Sequence, residues 1–178
     1  MRTFMGYHRT HCCCPECAQN CEYIPGYLLP TDLPRLAAFH GAELDPSFDW
    51  RHQDTHFHQF ILQNLLASPG ALVLKDGKPC RIRTIVPARN DGWCKFFDGK
   101  LCTIHPVAPF GCAFFDAHQD PHLSSAISGA GLTLIARLWE DDPHSLYCQI
   151  WNELYQKGMR APSPEECRQR MGWIERTR

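Results

Sequence analysis

The sequence predicts an α+β fold: a small antiparallel hairpin sheet with flanking helices, joined to an irregular N-terminal segment that a cysteine-rich metal site organises. Three observations predict it. The chain carries 11 cysteines and 10 histidines in 178 residues, and six of those cysteines fall into an N-terminal and a central group. Two Asp-Gly pairs, Asp76-Gly77 and Asp98-Gly99, stand between apolar runs, which is a strong short-range hairpin signal. The last third of the chain then turns to helical periodicity. The length fits a single domain over 1–178 with its own core. Within it, 12–116 reads as a cysteine-cluster metal-binding core and 123–178 as a helical C-terminal extension.

Taken in order, residues 1–30 read as irregular, with Pro15, Pro25, Gly26 and Pro30 breaking any helix. Metal coordination suits such a segment because it replaces a missing core. Thr31 or Asp32 can cap a helix in which Pro34 fits the first turn and which Gly41 stops. Residues 43–60 place Phe48, Trp50 and Phe57 among His52, His56 and His58. Without a carboxylate at zincin spacing, this reads as an aromatic loop running into a helix at about 57–67. Ser68-Pro69-Gly70 should end that helix. A first hairpin follows, with arms at 71–74 and 80–86 and Ile82, Thr84 and Val86 on one face. The other face carries Arg81 and Arg83, either solvated or lining an anion site. Residues 87–92 read as a loop, and Asp98-Gly99 turns a second hairpin. The four short strands would form one sheet beside the metal. Beyond it, Asp116 to His122 is a polar loop with ligand-type side chains at irregular spacing. Helices are expected over 123–140 and from Pro143 to Gly158, and Ser163-Pro-Glu-Glu166 is a helix start.

The chemistry rests on the cysteines. Cys94 and Cys102 flank the Asp98-Gly99 turn and can converge at its base, and Cys112 can swing back across His105-Pro106 and Pro109. Three thiols are most of a metal site, so a further ligand must come from elsewhere. Residues 11–21, HCCCPECAQNC, offer Cys14-x-x-Cys17 and then Cys21, with Cys12 and Cys13 as additional thiols. The expected ligands are therefore Cys14, Cys17, Cys21, Cys94, Cys102 and Cys112. Six thiols exceed one mononuclear site; they could serve two linked metals, or one metal and free thiols. Zinc and an iron–sulfur cluster both take four thiolates, and sequence does not separate them. Cys80, Cys148 and Cys167 read as small packing residues.

The stretch Cys102-Thr-Ile-His-Pro-Val-Ala-Pro-Phe-Gly-Cys112 resembles the C-x-I-Y-x-x-R-P-x-x-C-R motif of the YkgJ-like cysteine-cluster proteins, a zinc- or iron-chelating family. Cys94-Lys-Phe-Phe-Asp-Gly-Lys-Leu-Cys102 is similar to the same family's C-x-F-L-(acidic)-G-x-C. The N-terminal cysteines with Leu29-Pro-Thr-Asp-Leu-Pro-Arg-Leu36 look like its CxxCxxCC cluster and following helix start. The likeness spans roughly residues 12–116, without the region 40–70. Asn20 stands where a third clustered cysteine would be, and Ala108 and Ala113 replace two arginines. His105 takes the family's tyrosine position, which implies packing rather than ligation. The resemblance implies a metal-binding protein whose metal is structural or handed on. It also implies an alternative, an iron–sulfur enzyme similar to the flagellin lysine methylases that the family includes.

The remaining composition narrows the field. A net charge of −1 with 21% charged residues provides no basic footprint for nucleic acid. No apolar run reaches bilayer length, and the first residues lack the apolar region of a secretory signal, so the expectation is a cytoplasmic protein with reduced thiols, whose partner is a metal ion rather than a membrane. The radical-enzyme spacing C-x-x-x-C-x-x-C is absent: Cys13-x3-Cys17 is followed by Asn20. No Gly-rich phosphate loop and no GxSxG elbow occurs.

Overall fold

A computed structural model of the chain describes residues 7, 12, 14–23, 26–45, 47–75, 77–114, 118–163 and 166. Cys13 and Cys167 lie outside them. The fold is α+β: among the described residues, six α-helices pack around small antiparallel ribbons. The helices are α1 (Pro15–Tyr23), α2 (Asp32–Phe39), α3 (Thr55–Asn64), α4 (Phe110–Ala113), α5 (Pro121–Asp141) and α6 (Leu146–Gln156). The strands are β1 (Leu65–Lys75), β2 (Lys78–Pro87), β3 (Arg89–Asn90) and β4 (Trp93–Cys94).

The segment expected to be irregular contains α1. Pro15 does not break it but occupies its first turn, where the missing N–H would have no helical partner anyway. Helix α3 starts two residues earlier than expected, because the Asp54 carboxylate accepts the backbone N–H of His56 at 2.7 Å and of Phe57 at 3.4 Å. It ends at Asn64, and β1 begins at once. Ser68-Pro69-Gly70 therefore lies inside a strand. The β1–β2 register shifts between Ser68 and Ala71, where Pro69 and Gly70 stand against Arg83 alone, so one extra residue forms a bulge rather than a break. Gly70 has φ 89°, and a Cβ there would fall 1.4 Å from the Ile82 carbonyl oxygen, so only glycine fits.

The four strands form two separate two-stranded ribbons, not one sheet. In the second, Asp91 (φ 50°) and Gly92 (φ 88°) make the tight turn between β3 and β4. Asp98-Gly99 closes a further turn held by an isolated bridge between Phe97 and Cys102. Its Asp98 carboxylate accepts the N–H groups of Lys100 and Leu101, each at 2.8 Å.

The core joins both halves of the chain through Leu28, Leu36, Ile61, Ile85, Ile150 and Leu154, all fully buried. Tyr147 of α6 lies at its centre. Its hydroxyl donates to the Leu28 carbonyl at 2.9 Å and accepts the Ile85 N–H at 2.9 Å, bracing the bridge between those two residues. After α6, Gly158 (φ 74°) turns the chain back, and Met159 to Ala161 pairs with the outer edge of β1 around Ala67. Ser163 and Glu166 then form a reciprocal capping box, at 3.1 and 2.6 Å. No described helix is long and apolar enough to cross a membrane.

Two contacts tie the N-terminal segment to the central cysteine stretch. Asp32, fully buried, accepts the Leu29 N–H at 2.8 Å and the Phe110 N–H at 2.9 Å through one oxygen, while Arg35 pairs with the other. Burial pushes this carboxyl up against the pull of those donors. Gly26 and Gly111 form the second contact. A Cβ on Gly26 would meet the Cys112 nitrogen at 2.1 Å, and one on Gly111 would meet the Tyr27 nitrogen at 2.4 Å. The two backbones thus cross in direct contact, which explains the glycine before Cys112.

Candidate metal centre

The N-terminus of α1 builds the site. The Cys14 carbonyl accepts the Ala18 N–H at 3.1 Å, so Cys14 stands at the helix cap and Cys17 three residues into it. That spacing brings both thiols to the same side of the first turn, where the helix dipole favours negative charge. Cys12 folds back over this end, and its sulfur accepts the Cys14 N–H at 3.4 Å. The fourth group comes from the loop before α5. Asp120 caps α5 by accepting the Leu123 N–H at 2.8 Å, and Gln119 reaches the Ala113 carbonyl at 2.9 Å. These anchors hold His118, whose Nε2 lies 3.0 Å from the Cys12 sulfur and 3.7 Å from the Cys14 sulfur.

The ligand atoms of Cys12, Cys14, Cys17 and His118 all lie within 4.8 Å of one another. A tetrahedral ion with metal–sulfur bonds of about 2.3 Å requires ligand–ligand edges of about 3.8 Å. The four atoms are therefore gathered to nearly the spacing of a coordination shell, and the cluster can bind a metal ion. Cys17 is buried, Cys12 and Cys14 are half-buried and His118 is exposed, so the centre opens to solvent on its histidine side.

The electrostatics fit ligation. The Cys12 thiol is pulled down to about 7 by the Cys14 N–H, then by the His118 ring and the Cys14 thiol. The Cys14 thiol goes the opposite way, to about 12: the Cys17 N–H favours its thiolate, but desolvation and the neighbouring Cys12 sulfur outweigh that donor. One negative charge forms readily on this pair and the second is resisted, the situation that a divalent cation relieves.

Of the other expected ligands, Cys21, Cys94 and Cys102 are neighbours at the far end of α1 and Cys112 lies at Gly26; among the described residues these four do not gather to the spacing of a second ligand cluster. Cys21 stands one turn beyond Cys17 on the same helix face. Helix α1 packs on β4, where Cys94 is buried. Burial pushes the Cys94 thiol up to about 12, with the Cys21 and Cys102 sulfurs as neighbours whose charge adds to that rise. Cys102 sits opposite Phe97 at the base of the Asp98-Gly99 turn. Cys112 approaches the N-terminal segment at Gly26, with its sulfur 3.9 Å from that carbonyl oxygen. N-terminal and central cysteines thus approach each other around Cys94, while Cys14 and Cys17 share the first centre with Cys12 and His118. None of the nine described cysteines is in a disulfide.

Two members of the four-atom cluster, Cys12 and His118, lie outside the expected ligand set: the sequence offers Cys12 as an additional thiol and His118 as part of a polar loop. The signal that could locate His118 is Asp120-Pro121, a cap followed by a first-turn proline, which fixes the loop just before α5. Two of the other described histidines are engaged away from the cluster: His52 pairs with Asp49 at 2.7 Å, and His58 stacks on Trp50 with ring centres 4.1 Å apart. No family model, curated protein or solved structure matches the chain.

Proposed function

We propose that this is a zinc-binding cysteine-cluster protein of the kind its sequence resembles, the YkgJ-like family, with the ion held by Cys12, Cys14, Cys17 and His118. The carrying observation is the convergence of those four ligand atoms within 4.8 Å. Three thiolates and one imidazole are a closed structural zinc set, and closed sites contribute directly to folding energy. The ion's first role is to fix α1 and the loop before α5 against each other. The solvent-open histidine side also allows the metal to be handed on.

A second reading concerns Cys21, Cys94, Cys102 and Cys112. The burial of Cys94 beside Cys21 and Cys102 favours a further soft-metal centre there, zinc or iron–sulfur. An iron–sulfur centre would support the enzymatic alternative. Anaerobic purification followed by elemental analysis and absorption spectroscopy separates these readings. Zinc without colour, reduced by one equivalent in Cys17→Ser, is the expected result. A brown protein with thiolate-to-iron absorbance at about 400 nm, lost in Cys94→Ser, selects the second reading. Protein purified with no metal, and unable to take up zinc, overturns both.

A further inference from the structure

The C-x-x-C pair at the start of α1 has a second chemistry besides ligation. We propose that Cys14 and Cys17 are an oxidative modification site: a hydroperoxide, hydrogen peroxide being the simplest, converts them to a disulfide and the centre gives up its ion. This regulation rests on the zinc reading above and acts on the same site.

The helix supplies the geometry. Cys14 stands at the cap of α1 and Cys17 in its first turn, and the Ala18 N–H reaches the Cys14 carbonyl at 3.1 Å. Residues three apart on such a turn have Cα atoms about 5 Å apart, from a rise of about 1.5 Å per residue and a radius of about 2.3 Å. A disulfide spans Cα separations of about 4.4–6.8 Å. The two sulfurs already lie within 4.8 Å of each other, so side-chain rotation can close the bond without unwinding the turn. Cys12 lies ahead of the helix. Its sulfur faces the Cys14 N–H at 3.4 Å and His118 Nε2 at 3.0 Å, which leaves Cys14 and Cys17 as the pair that shares one turn.

Exposure sets the order of events. Cys14 is half-buried and His118, 3.7 Å from its sulfur, is exposed, whereas Cys17 is buried. A small peroxide therefore meets Cys14 first, from the histidine side. The Cys14 thiolate attacks one peroxide oxygen, the O–O bond breaks, hydroxide leaves and a sulfenic acid forms. The Cys17 thiolate then attacks the Cys14 sulfur, the S–S bond forms and a second hydroxide leaves. Two electrons pass from the two sulfurs to the peroxide, and the hydroxides take up protons as water. Thiolates, not disulfide sulfurs, are the metal ligands, so Cys12 and His118 are the two donors of the cluster that remain. Halving a four-ligand set should weaken zinc binding by at least about 1,000-fold. A reducing thiol reverses the change by exchange.

The test uses the full chain loaded with zinc, treated with equimolar hydrogen peroxide beside a chromophoric zinc indicator. The expected result is release of one zinc per peroxide consumed, with the intact mass lowered by about 2 Da. Fragmentation mass spectrometry should place the disulfide between Cys14 and Cys17, and dithiothreitol with added zinc should restore the bound ion. Cys80→Ser removes a half-buried thiol on β2 and should leave the release rate within about twofold of the parent. Cys17→Asp keeps a ligand oxygen but lacks the second sulfur, so its product should be a Cys14 sulfenic acid, about 16 Da heavier and trapped by dimedone. Where that variant folds poorly, the disulfide map of the parent decides. Zinc retained after the peroxide is consumed overturns the proposal while the zinc reading stands. So does a disulfide joining any other pair of sulfurs, or release accompanied by sulfinic acid alone. A chain that takes up no zinc before oxidation overturns the zinc reading and this regulation together.

Discussion

Replacing His118 with alanine separates a mixed thiolate–imidazole centre from one built of sulfur alone. His118 is exposed, and its nearest polar neighbours include the Cys12 and Cys14 sulfurs at 3.0 and 3.7 Å, so its loss removes little packing. Structural zinc sites of this size bind with roughly 10–16 kcal/mol, so one of four ligands accounts for about 3 kcal/mol. His118→Ala should therefore weaken zinc binding by about 100-fold, with water taking the vacated position. At a fixed free zinc concentration, the same factor lowers metal-linked stabilisation by up to about 2.7 kcal/mol. Competition against a chromophoric chelator measures the affinity, and cobalt substitution reports the donor set by its absorption. Affinity within about threefold of the parent, with an unchanged cobalt spectrum, would refute the reasoning and move the metal to the sulfurs around Cys94.

Zinc uptake should weaken as pH falls, because protons compete for the sulfurs. Cys14, pushed up to about 12, holds its proton through the neutral range and contributes about one decade of affinity per pH unit. Below about 7 Cys12 is protonated too, so the slope of log affinity against pH should steepen as pH falls through neutrality, as chelator competition across pH will show. Tyr147→Phe leaves the buried Ile85 N–H and Leu28 carbonyl without their shared hydroxyl and should cost about 2–4 kcal/mol in urea unfolding; a loss under about 0.5 would contradict that bracing role. Gly111→Ala forces a Cβ to within 2.4 Å of the Tyr27 nitrogen, and should lower stability by at least about 2 kcal/mol in the same assay.

The parts of the fold legible in the sequence are those with long periodic patterns. Helices α5 and α6 lie close to their expected ranges, and β1 pairs with β2 from Lys75 and Lys78 outward, as the expected hairpin requires. What the pattern does not carry is how breakers act in context. Pro15 starts α1 instead of preventing it, and Ser68-Pro69-Gly70 becomes a bulge because β1 has a partner strand to absorb it. Asp91-Gly92 and Asp98-Gly99 carry the same local signal. The first joins paired strands, whereas the second closes a turn on a single bridge, a difference set by the chain packed around each. Cys14-x-x-Cys17 announces a chelating knuckle by spacing alone. Its partner His118 lies 106 residues beyond Cys12 on a loop, and no periodicity links the two.

Helix α1 shows why metal binding and folding should be one event in part of the molecule. It has nine residues, too few for a stable isolated helix, and among its described side chains only Cys17 is buried. Cys14, Cys17 and Cys21 fall at i, i+3 and i+7, so its sulfurs line one face. That face meets His118 at one end and the Cys94 neighbourhood at the other. Among the described side chains of α1, little apolar burial besides Cys21 remains to hold the helix once an ion is withdrawn from Cys14 and Cys17. The Tyr147-centred core does not depend on those residues. Chelation should therefore raise amide hydrogen exchange by at least about tenfold across residues 14–23 and around His118, while the Leu28 and Ile85 amides keep their protection. Zinc should restore the protection at a one-to-one ratio for this centre. Equal exchange along α1 with and without metal would show that the helix is held by packing alone, and the structural role of the ion would fall with it.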